Sequence, residues 1–571
     1  MLRGVSCGEL RVKDSGRNVT IAGWVRKIRD HGEIIFIDLW DRYGITQIVF
    51  SPEDRALKER AKKLGLEWVI KVGGEVRKRP EEMVNPDIAT GEIEVKATTL
   101  EVLNAAEVPP FVVQENLTAE KELRLKYRYL ELRRNVALKG FILRHKLMQS
   151  AREFLNEKSF LEVETPILAK STPEGARDFL VPSRMNPGKF YTLAQSPQLY
   201  KQILMIAGFD RYYQFARCFR DEDMRGDRQL ECTQIDIEMA YPECEDIYKL
   251  CEGLMSSMLE KGIGEKASVP FPRMTYKEAM ERYGTDKPDL RNPLVLNDYT
   301  EIAKSGNFGI FNQCEVTRGI NIKRLFTRKE IGELEEVVKK AGAKGLLYIM
   351  NDGGKLRAPF EKYFENISGF GVKEGETLLL VSGKEKEVLV SLGVLRYELG
   401  NRYNLLDEGW RFLWVTDFPL FEWDEEENRW TPVHHIFTQA IGDLRNIEND
   451  PGSVLGKLYD LVLNGVELGS GSIRNHNPDV QRRLLNVIGM TDEEADEKFG
   501  FLLTALSYGA PPHGGIALGF DRICRLLAGL SSITEVITFP KTLTGAGLME
   551  GSPSVVPKKD LKELKLEGLE E

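Results

Sequence analysis

The sequence predicts a multidomain α+β protein. Its 571 residues exceed the roughly 250–300 at which single hydrophobic cores stop growing, so several domains are expected. Short strand-like segments fill the first hundred residues, whereas amphipathic helices and strands mix after Leu130. The composition, 42% hydrophobic and 29% charged, is typical of an ordinary globular protein.

The N-terminal domain, residues 1–108, is predicted to be a five-stranded barrel. Its strand candidates are VTIAGWVRKI, EIIFIDLWDRYG, TQIVF, WVIKVGGEVRKR and GEIEVKATTLEVL, and a helical stretch, PEDRALKERAKKLG, follows the third. This order matches a Greek-key barrel of the oligonucleotide/oligosaccharide-binding (OB) type. Ile35 and Ile37 alternate with Phe36, which predicts that Phe36 faces away from the barrel core.

The rest of the chain divides where its composition changes. Pro109 and Pro110 interrupt the strand pattern, so residues 109–130 are interpreted as a hinge. ALKGFILRHKLMQSAREFLNEKSF predicts a long helix, and LEVETPIL predicts a strand after it. We expect a catalytic domain in two parts, an α/β insertion between them and a charged tail, at residues 131–290, 409–557, 291–408 and 558–571.

Charge and cysteine content exclude several classes of protein. The net charge of −9 excludes a polycation but leaves room for a local basic face. No run approaches the ~20 apolar residues of a membrane span, and MLRGVSCGEL lacks the apolar core of a secretory signal. The seven cysteines form no CxxC pair, so neither a disulfide framework nor a structural zinc site is expected. A cytoplasmic location without membrane partners is predicted.

Residues 215–241, FARCFRDEDMRGDRQLECTQIDIEMAY, carry the densest group of charges between two strand candidates. Ile235 and Ile237 would share one face of the second strand, and Gln234, Asp236 and Glu238 the other. An acidic, amide-bearing face indicates either a sheet that lines a polar site or a hairpin with a solvated outer face.

RDED…R…DRQ…TQIDIEM and GFDR, in that order, resemble signature motifs of the class II aminoacyl-tRNA synthetases. TPEGARDFLVPSR, QSPQLYKQ, VHHIFT and NGVELGSGSIR narrow the resemblance to the bacterial-type aspartyl-tRNA synthetases, from residue 1 to about residue 555. The resemblance implies that ATP activates L-aspartate to aspartyl-adenylate, which is transferred to the 3′ end of tRNA-Asp. It also implies Mg²⁺ as a cofactor, and a homodimer built on the helix and strand after Leu130.

In the nucleotide site, the resemblance places Arg220 on the α-phosphate of ATP and Arg522 on the γ-phosphate, with Glu222 as a third catalytic residue. Planar cations suit phosphoryl oxygens. The other expected nucleotide contacts are Asp221, Gln229, Glu467, Gly519, Phe520 and Asp521. Asp460 and Glu467 occupy metal-binding positions, and a spacing of seven residues predicts that they share one helix face. Without the resemblance, each of these charges would also fit a solvated surface.

For the amino acid, the resemblance implies two cations, Arg474 and Lys201, that face the side-chain carboxylate of aspartate. The remaining expected contacts are Glu174, Gln198 and Asp236 for the ammonium group, Ser196 and Gln234 in the pocket wall, and His434 beside the carboxylate. Two departures from the family stand in the nucleotide loop: Leu230 and Cys232 replace its usual proline and phenylalanine. Cys232 cannot stack on adenine as that phenylalanine would.

In the barrel, Phe36, Gln47 and Glu94 occupy the family's positions for reading the central anticodon base, and the basic Arg29 is expected to bind phosphate nearby. Discriminating enzymes usually carry leucine at the position of His31, and a histidine there resembles the enzymes that also charge tRNA-Asn. Glu82 lies in the second loop that bears on discrimination, where non-discriminating enzymes often have glycine. A non-discriminating enzyme would need a tRNA-dependent amidotransferase as a partner.

Five alternatives are kept open. They are a strictly discriminating enzyme, a ligase for asparagine, a ligase for lysine, a catalytically inactive RNA-binding paralogue and an amide-forming relative that uses no tRNA. Arg474 and Lys201 argue against lysine, whose pocket would need a carboxylate. The anticodon-type barrel argues against the last.

Overall fold

The computed structural model describes residues 2–116, 118–172, 175–224, 226–442, 444 and 447–566. The chain forms two compact units. Residues 1–142, 538–542 and 546–553 make up the first, and residues 143–537, 543–545 and 554–571 make up the second. No helix in the described part of the chain is long and apolar enough to cross a membrane.

A closed five-stranded barrel dominates the first unit. Its elements are β1 (Asn18–Asp30), β2 (Ile35–Asp41), β3 (Gly44–Phe50), α1 (Arg55–Ala61), β4 (Val69–Lys78) and β5 (Ile93–Asn104). The strand order is β1-β2-β3-β5-β4. Ile35 and Ile37 are buried in the core, and Phe36 between them is half-buried on the other face, as the alternation predicts. The predicted OB-type barrel is confirmed.

Three helices follow the barrel: α2 (Lys121–Lys126), α3 (Arg128–Glu131) and α4 (Asn135–Glu157). Glu131 is buried and accepts a hydrogen bond of 2.6 Å from Arg128. The Arg128 Nε donates to the Thr538 carbonyl oxygen at 2.9 Å, which ties this segment to the C-terminal residues of the same unit. From Leu143 onward, α4 belongs to the second unit.

The second unit begins with short strands and then longer elements. They are β6 (Leu161–Glu162), β7 (Leu168–Ala169), β8 (Leu180–Pro182), β9 (Phe190–Leu193), α5 (Gln198–Ile206), β10 (Arg211–Phe219), β11 (Glu231–Ala240), α6 (Cys244–Ile263), β12 (Arg273–Thr275) and α7 (Tyr276–Tyr283). The strand predicted in LEVETPIL, ending at Pro166, is present but shorter than predicted, because only Leu161–Glu162 forms β6. β6 pairs with β10 and β7 with β9, because Pro166 between them cannot donate to a ladder.

Next comes a five-stranded sheet with its own helices. The elements are β13 (Leu296–Asp298), α8 (Thr300–Lys304), α9 (Gly309–Gln313), β14 (Val316–Ile322), α10 (Arg328–Lys340), β15 (Leu347–Asp352), β16 (Lys355–Arg357), β17 (Thr377–Gly383) and α11 (Glu385–Arg402). The sheet order is β13-β14-β17-β15-β16. Leu379 of β17 packs in one cluster with α10 and α11, whereas Leu378 and Leu380 pack in another with Phe311 and Phe360. Both faces of this sheet are therefore covered.

The chain then returns to the main sheet. The remaining elements are β18 (Phe412–Thr416), β19 (Phe421–Asp424), β20 (Arg429–Pro432), β21 (Ala440–Ile441), β22 (Leu455–Gly456), β23 (Leu458–Leu463), β24 (Val466–Ile473), α12 (Pro478–Val487), α13 (Asp492–Ser507), β25 (His513–Gly519), α14 (Phe520–Leu527) and α15 (Lys558–Glu563). The main sheet has eight strands in the order β12-β18-β23-β24-β25-β11-β10-β6. Its central pairs, from β18 to β10, are antiparallel.

Asp460 and Glu467 do not share a helix, which corrects the interpretation of their seven-residue spacing. They lie on β23 and β24, the two arms of a hairpin. Asn464 and Gly465 form the two-residue turn with φ of 50° and 79°, the left-handed geometry that tight hairpins require. The Asn-Gly turn therefore makes this segment a hairpin, although the spacing of the two carboxylates also fits a helix.

The main sheet has one apolar and one polar face. Ile235 and Ile237 of β11 are fully buried in a cluster that includes Leu147 of α4, Met255 of α6 and Ile523 of α14. The alternate residues of β11 point to the other face, as the period-2 pattern predicts. That face forms the floor of the largest cleft described below.

Candidate active site

A cleft with a volume of about 770 Å³ lies over the polar face of the main sheet. Its walls come from β11, β24, β25, the loop between β10 and β11, the β19–β20 hairpin and α13. Of the residues predicted for the site, the cleft collects Ser196, Gln198, Lys201, Arg220, Glu222, Gln229, Gln234, Asp236, His434, Glu467, Arg474, Gly519, Asp521 and Arg522. Residues more than 300 positions apart thus meet in one place. Glu174 lies outside the described residues.

One end of the cleft holds four buried charges. The Lys201 Nζ, from α5, lies 3.0 Å from Asp236 Oδ2 and 3.4 Å from Glu238 Oε2. Arg474 forms a two-pronged ion pair with Glu238, with N–O distances of 2.9 and 3.0 Å. Each of the four side chains is at most 1% exposed. Two cations and two carboxylates therefore balance each other without solvent.

The neighbouring strand makes room for this cluster. Gly515 of β25 lies opposite Glu238 of β11. A Cβ atom at Gly515 would collide with the Glu238 carboxylate and with the Ile237 carbonyl oxygen. The glycine is therefore required for Glu238 to lie beneath the sheet and pair with Arg474.

Arg474 is held in place on its other side as well. Its NH1 donates to His435 Nε2 at 2.5 Å and to Ser472 Oγ at 2.8 Å. Burial, together with the positive charge of Arg474, lowers the pKa of His435 well below its ordinary value. A neutral imidazole that accepts from Arg474 fits this environment.

The pKa values of the two carboxylates in the cluster are shifted in opposite directions. Burial raises the pKa of Asp236 to about 6, although the nearby Lys201 opposes the shift. Burial acts in the same direction on Glu238, but Arg474 and Lys201 outweigh it and lower the pKa of Glu238. The negative charge of Asp236 is therefore less fully stabilised by the neighbouring cations than that of Glu238.

Two buried polar atoms at this end have no hydrogen-bond partner among the described residues. They are Asp236 Oδ1 and Gln198 Nε2. An unpaired buried polar atom costs about 1–3 kcal/mol, so an acceptor and a donor are left for a bound molecule. The Gln198 backbone N donates to Ser196 Oγ at 3.2 Å, and the Cys218 thiol donates to Gln234 Oε1 at 3.3 Å.

His434 and Asp460 lie beside the cluster. His434 Nδ1 is 3.0 Å from Ser470 Oγ, and its Nε2 is 3.9 Å from Asp460 Oδ2. Burial lowers the pKa of His434, whereas burial and the neighbouring Glu467 raise that of Asp460 well above its ordinary value. Asp460 Oδ1 is buried and has no hydrogen-bond partner among the described residues.

This pair of carboxylates fits a magnesium ion. Mg²⁺ takes oxygen ligands, keeps several waters and needs one or two carboxylates. The half-exposed Glu467 lines the cleft and the unpaired oxygen of Asp460 lies nearby, so the two satisfy this requirement. No cluster of three or more His, Cys, Asp or Glu side chains suited to a metal occurs among the described residues.

At the other end of the cleft the charges are more exposed. Arg220 is half-buried, and its guanidinium forms no ion pair or hydrogen bond with another described residue. Glu222 pairs with Arg228 at 2.9 Å. Asp221 is exposed and is not among the described residues that line the cleft.

Helix α14 supplies the opposite wall. Arg522 donates to the Glu467 carbonyl oxygen at 2.9 Å, and its guanidinium lies 3.6 Å from the Glu467 carboxylate and 3.7 Å from Asp227. Both oxygens of Asp521 already have partners, the Thr233 backbone N at 2.8 Å and Arg144 at 2.5 Å. The Phe520 ring is fully buried. Asp521 and Phe520 therefore anchor α14, and Arg522 is the side chain it presents to the cleft.

A separate polar face lies on the outside of the barrel. Arg29 forms a two-pronged ion pair with Asp38, at 2.9 and 2.6 Å, and donates to Gln47 Oε1 at 3.0 Å. Gln47 in turn donates to Glu94 at 2.9 Å. Two of the three predicted base-reading residues, Gln47 and Glu94, thus form one chain of hydrogen bonds with Arg29.

Two aromatic rings lie near this chain. Phe36 is the third predicted base reader, and its half-buried ring meets that of the exposed His31 edge-on, with centroids 5.7 Å apart. Glu82 is exposed on a short 3₁₀ turn, Glu81–Met83. Accessible rings beside amide and carboxylate groups are typical of surfaces that bind single-stranded bases.

The sequence pattern missed the role of Glu238 and gave His435 none beyond being a neighbour of His434. Glu238 shares the polar face of β11 with Gln234 and Asp236, so the same alternation could have identified it. Ser470 and Ser472 likewise alternate on β24. The pattern cannot identify the partner of Glu238, because Arg474 lies 236 residues further along the chain.

The chain matches two family models. Residues 19–103 match the OB-fold nucleic acid binding domain, and residues 120–543 match the tRNA synthetases class II (D, K and N). An aspartate–tRNA(Asp/Asn) ligase of Caldanaerobacter subterraneus subsp. tengcongensis is 49% identical over 573 residues, which cover 98% of this chain and 97% of that protein. An aspartate–tRNA ligase of Oceanobacillus iheyensis is 48% identical and covers 99% of both chains.

Among solved structures, the asparaginyl-tRNA synthetase of Pyrococcus horikoshii complexed with asparaginyl-adenylate has the same fold. The TM-score is 0.61 at 22% identity, over 95% of this chain and 99% of that one. The family model covers the β10–β11 loop, the β23–β24 hairpin and α14, the elements that build the cleft. The chain therefore belongs to the class II tRNA synthetases of the D, K and N type.

Proposed function

We propose that the protein is an aspartate–tRNA ligase that activates L-aspartate with ATP and transfers it to tRNA-Asp and tRNA-Asn. The observation that carries the proposal is the buried cluster at one end of the cleft, in which Arg474 and Lys201 are fixed by Glu238 and Asp236. A pocket with two immobile cations suits a small substrate whose side chain is a carboxylate.

The same cluster excludes close competitors. Asparagine would bring no negative charge to Arg474 and Lys201, and lysine would bring a third cation. Sites built to pair with a polar group reject analogues that lack it by about 10⁴ to 10⁵. The unpaired Asp236 Oδ1 would receive the ammonium group of aspartate, and the unpaired Gln198 Nε2 would donate to an oxygen of the substrate.

The arginines at the other end of the cleft would bind the triphosphate. Arg220, with no partner among the described residues, is free to contact the α-phosphate, where negative charge grows as the aspartate carboxylate attacks. Arg522 would contact the γ-phosphate and hold pyrophosphate as it leaves. Asp460 and Glu467 would hold Mg²⁺, which supplies charge neutralisation of the phosphates when bound.

Transfer then requires the 3′ end of a tRNA whose anticodon lies on the barrel. Phe36 offers a face for stacking, and the Gln47 and Glu94 groups offer hydrogen bonds to a base edge. His31, beside Phe36, is the residue that we assign to tolerance of the last anticodon base. Aspartyl-tRNA-Asn made in this way would need an amidotransferase to convert it.

We further propose a homodimer through the strands that follow α4. Leu161, Ile167 and Leu168 are apolar yet 53%, 46% and 49% exposed, which supports a covered surface. Light scattering of the purified chain tests this: a mass of twice 64.9 kDa is expected, and a monomer would contradict it.

The charging of two purified transcripts tests the function. We expect aspartate to be attached to both tRNA-Asp and tRNA-Asn, and His31→Leu to reduce charging of tRNA-Asn by about tenfold, the effect of one lost base contact. Glu33→Leu, in the same exposed loop, is the matched control and should change neither. Charging of tRNA-Asp alone would leave a discriminating enzyme, and the absence of both charging and ATP–pyrophosphate exchange would leave an RNA-binding protein.

A further inference from the structure

Cys218 and Cys232 lie directly opposite each other on β10 and β11. In an antiparallel pair, the Cα atoms of opposed residues are about 4.5 to 5.5 Å apart. Disulfides span Cα distances of about 4.4 to 6.8 Å. The backbone of these two strands therefore already satisfies the distance that a disulfide needs.

The two thiols have different surroundings. Cys232 is half-buried and lines the nucleotide end of the cleft with Arg220 and Gln229. Cys218 is fully buried behind it, and its thiol donates to Gln234 Oε1 at 3.3 Å. One sulfur is thus reachable by a small molecule that enters the cleft, and the other is reachable from Cys232.

The electrostatic environment favours the thiolate of Cys232. The neighbouring Cys218 thiol lowers the pKa of Cys232, burial opposes the shift, and Arg220 and Arg217 support it. The same interaction raises the pKa of Cys218. Cys7, Cys244, Cys251 and Cys524 also have raised pKa values, because they are buried. All seven cysteines are described, and Cys232 combines access with thiolate character, the two properties that govern thiol oxidation.

We propose that Cys232 is an oxidation-sensitive thiol in the nucleotide end of the cleft and that Cys218 resolves its oxidised form into a disulfide. Hydrogen peroxide is the oxidant. The Cys232 thiolate attacks one peroxide oxygen, the O–O bond breaks, and the products are a sulfenic acid and, after protonation, water. The Cys218 thiol then attacks the sulfenic sulfur, an S–S bond forms, and the hydroxyl group leaves with the thiol proton as a second water.

The disulfide changes both halves of the site. It removes the thiol hydrogen that Cys218 donates to Gln234, in the wall of the proposed aspartate pocket. It also fixes the Cys232 side chain beside Arg220, where the nucleotide is proposed to bind. Activation of aspartate should therefore stop in the oxidised enzyme and return after reduction. The effect on activity rests on the proposed function, whereas formation of the disulfide does not.

The test treats the full-length enzyme with hydrogen peroxide, with and without ATP. Peptide mapping under non-reducing conditions should find a linked Cys218–Cys232 peptide and a mass loss of two hydrogen atoms. ATP–pyrophosphate exchange, measured on the same samples, should be lost and then restored by dithiothreitol, and ATP should slow both changes. Linkage of another cysteine pair, or loss of exchange with both thiols still reduced, would overturn the proposal.

Two variants separate the roles of the thiols. In Cys218→Ser, Cys232 should still be oxidised, but as a sulfenic or sulfinic acid without the linked peptide, and dithiothreitol should restore less activity. Cys314→Ser, a half-buried cysteine outside the cleft, is the control and should respond as the wild type does. If Cys232 were no more readily oxidised to sulfinic acid in Cys218→Ser than in the wild type, the assigned role of Cys218 would be contradicted. Exchange in the untreated enzyme tests the proposed function separately, since the linked peptide can form in an inactive protein.

Discussion

The two ends of the catalytic cleft differ in how completely their charges are paired. At the amino-acid end, Lys201, Asp236, Glu238 and Arg474 are buried and pair with one another at 2.9 to 3.4 Å. At the nucleotide end, Arg220 has no partner among the described residues, and Arg522 approaches carboxylates only at 3.6 and 3.7 Å. One end is rigid before the substrate binds, and the other presents cations to solvent.

This difference matches two tasks. Selecting one amino acid requires groups whose positions are fixed, so that a substrate lacking the matching charge leaves them unpaired. Binding a triphosphate requires cations that need not first break strong ion pairs. Substitutions at the buried end should therefore affect both stability and activity, whereas substitutions at the exposed end should affect activity alone.

Arg474→Leu should have the largest effect. It removes the two-pronged partner of the buried Glu238 and leaves only Lys201, 3.4 Å away, so the free energy of unfolding should fall by about 3–5 kcal/mol. Aspartate-dependent ATP–pyrophosphate exchange should fall by about 10³-fold or more. The matched control is Arg482→Leu, whose arginine pairs with Asp496 at the surface and should contribute less than about 1 kcal/mol. Equal losses in the two variants would contradict the comparison.

Arg220→Ala should lower exchange by about 10² to 10³, the loss expected when one group that stabilises a transition-state charge is removed. Chemical denaturation should show a free energy of unfolding within about 0.5 kcal/mol of the wild type, because the Arg220 guanidinium forms no ion pair or hydrogen bond with the described residues. Arg217→Ala serves as the control, since Arg217 pairs with Glu231 at an exposed position. If Arg220→Ala unfolded as readily as Arg474→Leu, the nucleotide end would not be loosely paired.

Cys232→Phe should strengthen the nucleotide end. A base stacked on an aromatic ring gains about 1–3 kcal/mol, so the KM for ATP should fall by about tenfold. The KM is measured by varying ATP in the exchange reaction, with Cys232→Ala as the variant of smaller volume. A KM that stays the same or rises in Cys232→Phe would mean that adenine does not lie against this position.

A pH dependence should arise at the buried end. The pKa of Asp236 is raised from 3.8 to about 6, so between these values the folded protein holds a proton that the unfolded chain has lost. Its contribution to the free energy of unfolding therefore decreases as pH rises through that window. Binding the ammonium group needs the ionised form, so the KM for aspartate should increase about fourfold between pH 7.5 and 5.5. Asp236→Asn should remove this dependence; a flat KM in the wild type would contradict it.

The sequence predicted the polar face of β11 better than it predicted the β23–β24 hairpin. Strict alternation from Gln234 to Glu238 needs no knowledge of the partner strands, because the period of a strand is fixed by its backbone. The seven-residue spacing of Asp460 and Glu467 fits a helix equally well, and only the Asn464–Gly465 turn decides between the two. The strands of the barrel could likewise be predicted from local sequence patterns, without knowledge of their partner strands.

The residues of the site could be predicted from the order of the sequence motifs. The interactions that hold these residues in place could be seen only in the tertiary structure. Arg220 and Arg522 could be assigned by resemblance to the family. That Asp521 and Phe520 anchor α14 follows from contacts with Arg144, Thr233 and the core. Such contacts join positions hundreds of residues apart, and neither periodicity nor spacing carries that information.

The central claim is that the buried end of the cleft selects aspartate. The most direct test is amino-acid-dependent ATP–pyrophosphate exchange with aspartate and asparagine, each over a full concentration range. We expect kcat/KM for aspartate to exceed that for asparagine by about 10⁴ or more. Comparable values for the two amino acids would mean that Arg474 and Lys201 do not read the side-chain charge, and the account of the cleft would be wrong.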